Sequence, residues 1–115
     1  MTITLYGIPN CDTVKKARVW LDGHGIFYAF HDYKKAGADP DRITKWIAAA
    51  GLDKVLNRAG TTFRKLPESE REGLDETRAA ALMAANPSCI KRPIVENPGG
   101  LLVGFKLDEW TAALG

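Results

Sequence analysis

Apolar and polar positions change their period along the chain, and each change marks a new element. Thr2-Ile3-Thr4-Leu5-Tyr6 alternates with period two and is rich in β-forming residues, which predicts a strand. Gly7-Ile8-Pro9-Asn10 breaks it. From Asp12 to Asp22 the apolar residues Val14, Ala17 and Leu21 recur at helical spacing, while Lys15, Lys16 and Arg18 fall on the outward face. Gly23 and Gly25 supply C-terminal stops for that helix. Ile26-Phe27-Tyr28-Ala29-Phe30 is apolar on both faces, as a buried parallel strand would be. Strand, helix and strand within about 30 residues form a βαβ unit.

The middle of the chain changes character. Asp39-Pro40 reads as an N-cap followed by a first-turn proline, opening a helix to about Ala50 with Ile43, Trp46 and Ile47 inward and Gly51 at its end. Short helical pieces are expected over 52–57 and 62–73. A clearer helix, capped by Asp75, runs from about Glu76 to Ala85 and stops at Asn86-Pro87. Pro93-Ile94-Val95 and Leu101-Leu102-Val103 flank Asn97-Pro98-Gly99-Gly100 as a strand-turn-strand hairpin. A last helix carries Leu107, Trp110, Ala113 and Leu114 on one side. The expected fold class is α/β, with the order β-α-β, a helical block, then β-β-α in a mixed sheet. Without the block that order is the thioredoxin-like fold. We expect a single domain with its core over about 1–35 and 88–115, and an inserted helical subdomain over about 36–87.

Length and composition narrow the picture. A chain of 115 residues suits one core, and 45% apolar with 26% charged residues is the balance of an ordinary soluble protein. A net charge of +2 is too small to argue for nucleic acid or an anionic membrane, and neither is expected as a partner. No apolar run approaches the roughly 18 residues of a spanning helix. Residues 2–6 read directly as a strand rather than as a signal peptide. With Cys11 and Cys89 alone there is no disulfide framework, which suits a reducing cytosol and a cytoplasmic location.

Cys11 is the candidate for chemistry. It follows a strand and opens a helix, where unpaired backbone N–H groups and the positive end of the helix dipole stabilise thiolate over thiol. The adjacent Asp12 opposes this, and Lys15 and Lys16, one turn along, offset part of it. The plain alternative is a small buried hydrophobe, the usual fate of a free cysteine.

Tyr6-Gly7-Ile8-Pro9-Asn10-Cys11-Asp12-Thr13-Val14-Lys15-Lys16-Ala17 resembles the active-site segment of the glutaredoxin-coupled arsenate reductase family, which also contains the Spx-type transcription regulators. The resemblance is strongest to its small YffB-like branch and covers essentially the whole chain, including the helical insertion and Arg92-Pro93-Ile94-Val95. It implies that Cys11 is the nucleophile. It also implies that two arginines bind the substrate: Arg58 in Leu56-Asn57-Arg58-Ala59, and Arg92 before the proline that opens the third strand. A guanidinium suits that task because its fixed fork binds tetrahedral oxyanions and carboxylates bidentately. Asn10 beside the cysteine and Pro93 beside Arg92 join the binding set. Two departures count against tight arsenate binding. Gly104-Phe105-Lys106 stands where the arsenate enzymes carry a third arginine, so Lys106 offers a point charge but no fork. Gly7 stands where they commonly carry a histidine.

Position three after Cys11 is Val14, so the Cys-x-x-Cys device of thioredoxins and many Spx-type proteins is missing. A one-cysteine site needs an external thiol or a distant cysteine to resolve its mixed disulfide. Glutathione is the natural external thiol, and its carboxylates give Arg58 and Arg92 something to hold. No bound cofactor is implied, and glutathione enters as a co-substrate. The leading expectation is a glutathione-dependent thiol oxidoreductase acting on a small oxidised or anionic substrate, with glutaredoxin as a candidate partner. The alternatives are arsenate reduction through an arseno-cysteine adduct, and a Spx-like regulator that binds RNA polymerase. Cys89 is the one internal resolving candidate, against the plainer reading that it packs into the core. His24 and His31 are too few for a zinc site, so no metal is expected. Trp20, Trp46 and Trp110 read as packing residues, and Arg64 and Lys65 as solvated charges.

Overall fold

The computed structural model of the chain describes residues 3–33 and 35–114. Its elements in order are β1 (Thr4–Gly7), α1 (Asp12–Gly23), β2 (Ala29–Asp32), α2 (Pro40–Ala50), α3 (Leu52–Val55), α4 (Thr61–Arg64) and α5 (Glu68–Arg71). There follow α6 (Glu76–Ala85), a 3-10 turn at Pro87–Cys89, β3 (Ile94–Asn97), β4 (Gly100–Val103) and α7 (Leu107–Leu114). The chain divides into two compact units, one of residues 1–36 with 92–115 and one of residues 37–91.

The first unit is built on a four-stranded mixed sheet in the order β2-β1-β3-β4. β1 runs parallel to β2, with Leu5 opposite Phe30 and Gly7 opposite Asp32. It runs antiparallel to β3, with Leu5 opposite Val95 and Tyr6 opposite Ile94. β3 and β4 form the expected hairpin, Asn97 facing Gly100. Because side chains alternate along a strand, Leu5, Val95 and Leu102 share one face. That face packs against Val14, Ala17 and Leu21 of α1 and Trp110 of α7. Trp110 is fully buried, and its indole N–H donates to the Gly104 carbonyl at 3.0 Å, so the burial leaves no polar group stranded.

Two local readings need correction. Ile26, Phe27 and Tyr28 precede the second strand rather than belonging to it, and Phe27 is 96% exposed. Gly25 turns the chain at φ 65° and Ile26 N–H returns to the Leu21 carbonyl, which delays the strand to Ala29. As an edge strand, β2 has exposed and half-buried positions instead of two buried faces. On the outward face of α1 the Arg18 guanidinium lies 4.3 Å over the Phe30 ring, and its Nε donates to the Tyr28 hydroxyl. On α7, Trp110 alone is fully buried, while Leu107 and Ala113 are exposed.

The second unit is helical. Asp39 caps α2 by accepting from Asp41 N–H at 3.0 Å, with Pro40 in the first turn. Asp75 caps α6 by accepting from Arg78 N–H at 2.7 Å. Ile43, Trp46 and Ile47 of α2 are buried, as are Ala79, Ala80 and Met83 of α6, and the two helices pack together. Leu56 and Ile90 form an antiparallel bridge, closed by Asn57 N–H to the Cys89 carbonyl at 2.7 Å and Lys91 N–H to the Val55 carbonyl at 2.8 Å.

Candidate active site

The parallel strands β1 and β2 end side by side at Gly7 and Asp32, and the chain leaving β1 turns directly into α1. Loops at the carboxyl ends of parallel strands are where α/β folds place their chemistry. Gly7 allows that turn for a steric reason. A Cβ there would lie 2.8 Å from Cγ2 of Val14, whose side chain is fully buried. The position where arsenate enzymes commonly carry a histidine is therefore closed to a side chain as long as Val14 packs as it does.

Cys11 is the N-cap residue of α1, with extended backbone at φ −82° and ψ 125°. Its N–H bonds the Ile8 carbonyl at 3.1 Å and its carbonyl accepts from Lys15 N–H at 3.0 Å. Its side chain makes no capping hydrogen bond, so the sulfur stands at the positive end of a 12-residue helix without being spent on the cap. The thiol is half-buried, packed on its inner side against the sheet core. Asn10 beside it is exposed.

Arg92 enters the same unit just before β3, half-buried, joined to the buried Pro93 by a cis peptide bond. The Pro93 carbonyl accepts from Gly104 N–H at 2.8 Å, tying the start of β3 to the end of β4. Lys106 is exposed and 3.7 Å from Glu109, one turn along α7. Arg58 lies in the second unit, exposed and ion-paired to Asp53. Cys89 also belongs to the second unit and is fully buried, and desolvation pushes its thiol above the ordinary range. Both properties fit a core residue and make it a poor nucleophile. His24 stacks on Trp20 at 4.0 Å, and His31 lies 4.9 Å from the Tyr6 ring. Among the described residues no three His, Cys, Asp or Glu side chains gather to hold a metal ion, and no helix is long and apolar enough to cross a membrane.

The residue missed by sequence reasoning is Tyr33. It follows β2, and its N–H bonds the Gly7 carbonyl at 3.3 Å, fixing it at the strand ends beside the cysteine loop. Its side chain is 1% exposed, and among the described residues its hydroxyl has no hydrogen-bond partner. Leaving a buried polar group unpaired costs about 1–3 kcal/mol. Burial holds its ionisation well above the usual phenol range. The Arg92 guanidinium pulls the other way, while negative charge at Cys11 and at Asp32 pushes it further up. Arg92, Cys11 and Asp32, all in the first unit, thus each act electrostatically on Tyr33. The signal available in the sequence was an aromatic residue among charges in His31-Asp32-Tyr33-Lys34-Lys35, directly after a parallel strand.

Residues 6–113 match the ArsC family. The chain belongs to the ArsC family. Within it, the chain is 56% identical to a solved YffB protein, with a TM-score of 0.96 over 99% of this chain and 100% of that one. It is 52% identical to an arsenate reductase (ArsC) related protein from Brucella melitensis, with a TM-score of 0.75 over 98% and 94% of the two chains. It is also 30% identical to the global transcriptional regulator Spx of Listeria innocua, over 93% of this chain and 82% of the regulator. These ArsC-family likenesses run through the whole described chain, and the thioredoxin-like reading of its mixed sheet is correct.

Proposed function

We propose that this ArsC-family protein is a glutathione-dependent thiol oxidoreductase. Family membership and the arsenate-reductase-related neighbours support a thiol oxidoreductase or arsenate reductase role. The observation that carries the finer reading is a half-buried thiol at the N-cap of α1, with the buried Val14 standing where a Cys-x-x-Cys motif would put its second sulfur. In the first step the Cys11 thiolate attacks the glutathione sulfur of a mixed disulfide. The S–S bond breaks, the substrate leaves as a thiolate that takes up a proton, and Cys11 is joined to glutathione. In the second step a free glutathione thiolate attacks that sulfur. Cys11 leaves as thiolate, and the two glutathiones depart as their disulfide. Arg92 holds a glutathione carboxylate in both steps, with Asn10 and Pro93 shaping the approach to the sulfur.

Lys106 in place of a third arginine and the filled space at Gly7 favour a disulfide over arsenate as the oxidised substrate. The missing Cys-x-x-Cys pair counts against a redox-switched regulator of the Spx kind. The test is a substrate panel with turnover followed through oxidised glutathione. One arm holds glutathionylated small thiols with glutathione, the other arsenate with glutathione and glutaredoxin. We expect turnover in the first arm that disappears in Cys11→Ser. Turnover confined to the arsenate arm, or activity that survives in Cys11→Ser, would overturn the proposal.

A further inference from the structure

The β3–β4 ladder pairs Asn97 with Gly100, Glu96 with Leu101, Val95 with Leu102 and Ile94 with Val103, so the next residues brought opposite each other are Pro93 and Gly104. Opposed residues of an antiparallel pair can exchange two hydrogen bonds, one in each direction. Gly104 N–H donates to the Pro93 carbonyl at 2.8 Å. The return bond cannot form, because proline has no N–H. The Gly104 carbonyl takes its donor from elsewhere, the indole N–H of Trp110 at 3.0 Å. Trp110 holds the rest of this turn as well. Its ring meets Phe105 edge-on with the centroids 4.8 Å apart, and its backbone N–H donates to the Lys106 carbonyl at 2.9 Å. The indole is fully buried in the core that the sheet shares with α1. One closely packed side chain thus closes the last rung of the ladder, and the proline on the far side of that rung is joined directly to Arg92.

We infer that Trp110 is a positioning residue for Arg92: its indole N–H stands in for the donor that Pro93 lacks, and locks the Arg92-Pro93 segment against Gly104. The guanidinium is then presented to the glutathione carboxylate from a fixed base. This adds a further member to the site proposed above and rests on that reading. The φ of a proline is set by its ring, and the Pro93 carbonyl is pinned by Gly104, so Pro93 keeps little backbone freedom while Gly104 stays in place. Gly104 stays because its φ of 75° suits a residue without Cβ and because Trp110 holds its carbonyl. Fixing the base of a long side chain before a ligand arrives reduces the ordering that binding has to offset. Trp110 has no part in the chemistry at sulfur, so its effect falls on binding.

The test compares kcat and KM for a glutathionylated small thiol in the wild-type chain, Trp110→Phe, Arg92→Ala and the variant carrying both changes. Trp110→Phe keeps a buried aromatic ring and removes the N–H. It should raise KM about fivefold, the effect of losing one hydrogen bond, while kcat changes by less than about twofold. In the Arg92→Ala background the same substitution should raise KM no further, because a residue acting through Arg92 then has nothing left to position. The rate of Cys11 alkylation by iodoacetamide should match the wild type in every variant. Gly104→Ala disturbs the same rung without touching the core. Apart from its chain neighbours no heavy atom lies within 4 Å of the added Cβ, so the strain is confined to a backbone that favours glycine. It should raise KM when Arg92 is present and leave it unchanged in Arg92→Ala, and it decides the matter if Trp110→Phe fails to fold. An unchanged KM, or an equal rise with and without Arg92, would overturn the inference and leave the proposed function standing. A lower kcat together with slower alkylation of Cys11 would give Trp110 a general structural role and overturn the inference too. A wild-type chain that does not turn over the substrate would overturn the proposed function, and the positioning role with it.

Discussion

Gly7 and Arg92 show how much individual positions constrain this site. A Cβ at Gly7 meets Val14 at 2.8 Å, so Gly7→Ala should lower stability by the about 1–3 kcal/mol typical of overpacking a tight core. Urea unfolding measures it, and an unchanged midpoint contradicts the packing account. Arg92→Ala should raise KM for a glutathionylated substrate about tenfold, the effect of losing a charge-assisted contact of about 1.5 kcal/mol, with a smaller change in kcat. An unaltered KM would remove Arg92 from the binding set. Both residues were legible in the sequence, one as a departure from the arsenate pattern and the other as a match to it. Tyr33 was not. Its importance comes from burial and from an unsatisfied hydroxyl, and neither property belongs to a local sequence pattern.

At the scale of elements, the helices with clear caps were the easiest to read. Asp39-Pro40 and Asp75 mark the starts of α2 and α6 because a side-chain acceptor one residue before the first turn satisfies an otherwise unpaired N–H. Asp39→Ala and Asp75→Ala should each cost about 1 kcal/mol, read from the shift in the urea midpoint. A change within error would mean that tertiary packing alone holds those helix starts. The second strand was harder. Five apolar residues at 26–30 suggest a buried strand, but the sheet places β2 at its edge and Gly25 spends three of those residues on the approach. Position in a sheet depends on pairing partners distant in sequence, so the edge could not be seen locally.

For the whole molecule, we expect two buried weakly acidic groups to lower stability at alkaline pH. Cys89 is raised above its ordinary 9.0 by desolvation, and Tyr33 is raised above 10.0 by burial first of all. Between the unfolded and folded values of such a group the native state binds more protons than the unfolded one, so stability falls as pH rises through that interval. We expect the urea midpoint to drop above about pH 9, and to drop less in Cys89→Ala with Tyr33→Phe. An identical alkaline decline in the double variant would assign the loss to other groups. The same burial separates the roles of the two cysteines, leaving Cys89 in the core of the helical unit and Cys11 at the head of α1. Mass spectrometry of the reduced protein incubated with oxidised glutathione tests that division most directly. The account predicts one glutathionyl group, carried on the peptide that contains Cys11 and absent from Cys11→Ser. An unmodified Cys11, or an adduct found on Cys89 instead, would contradict it.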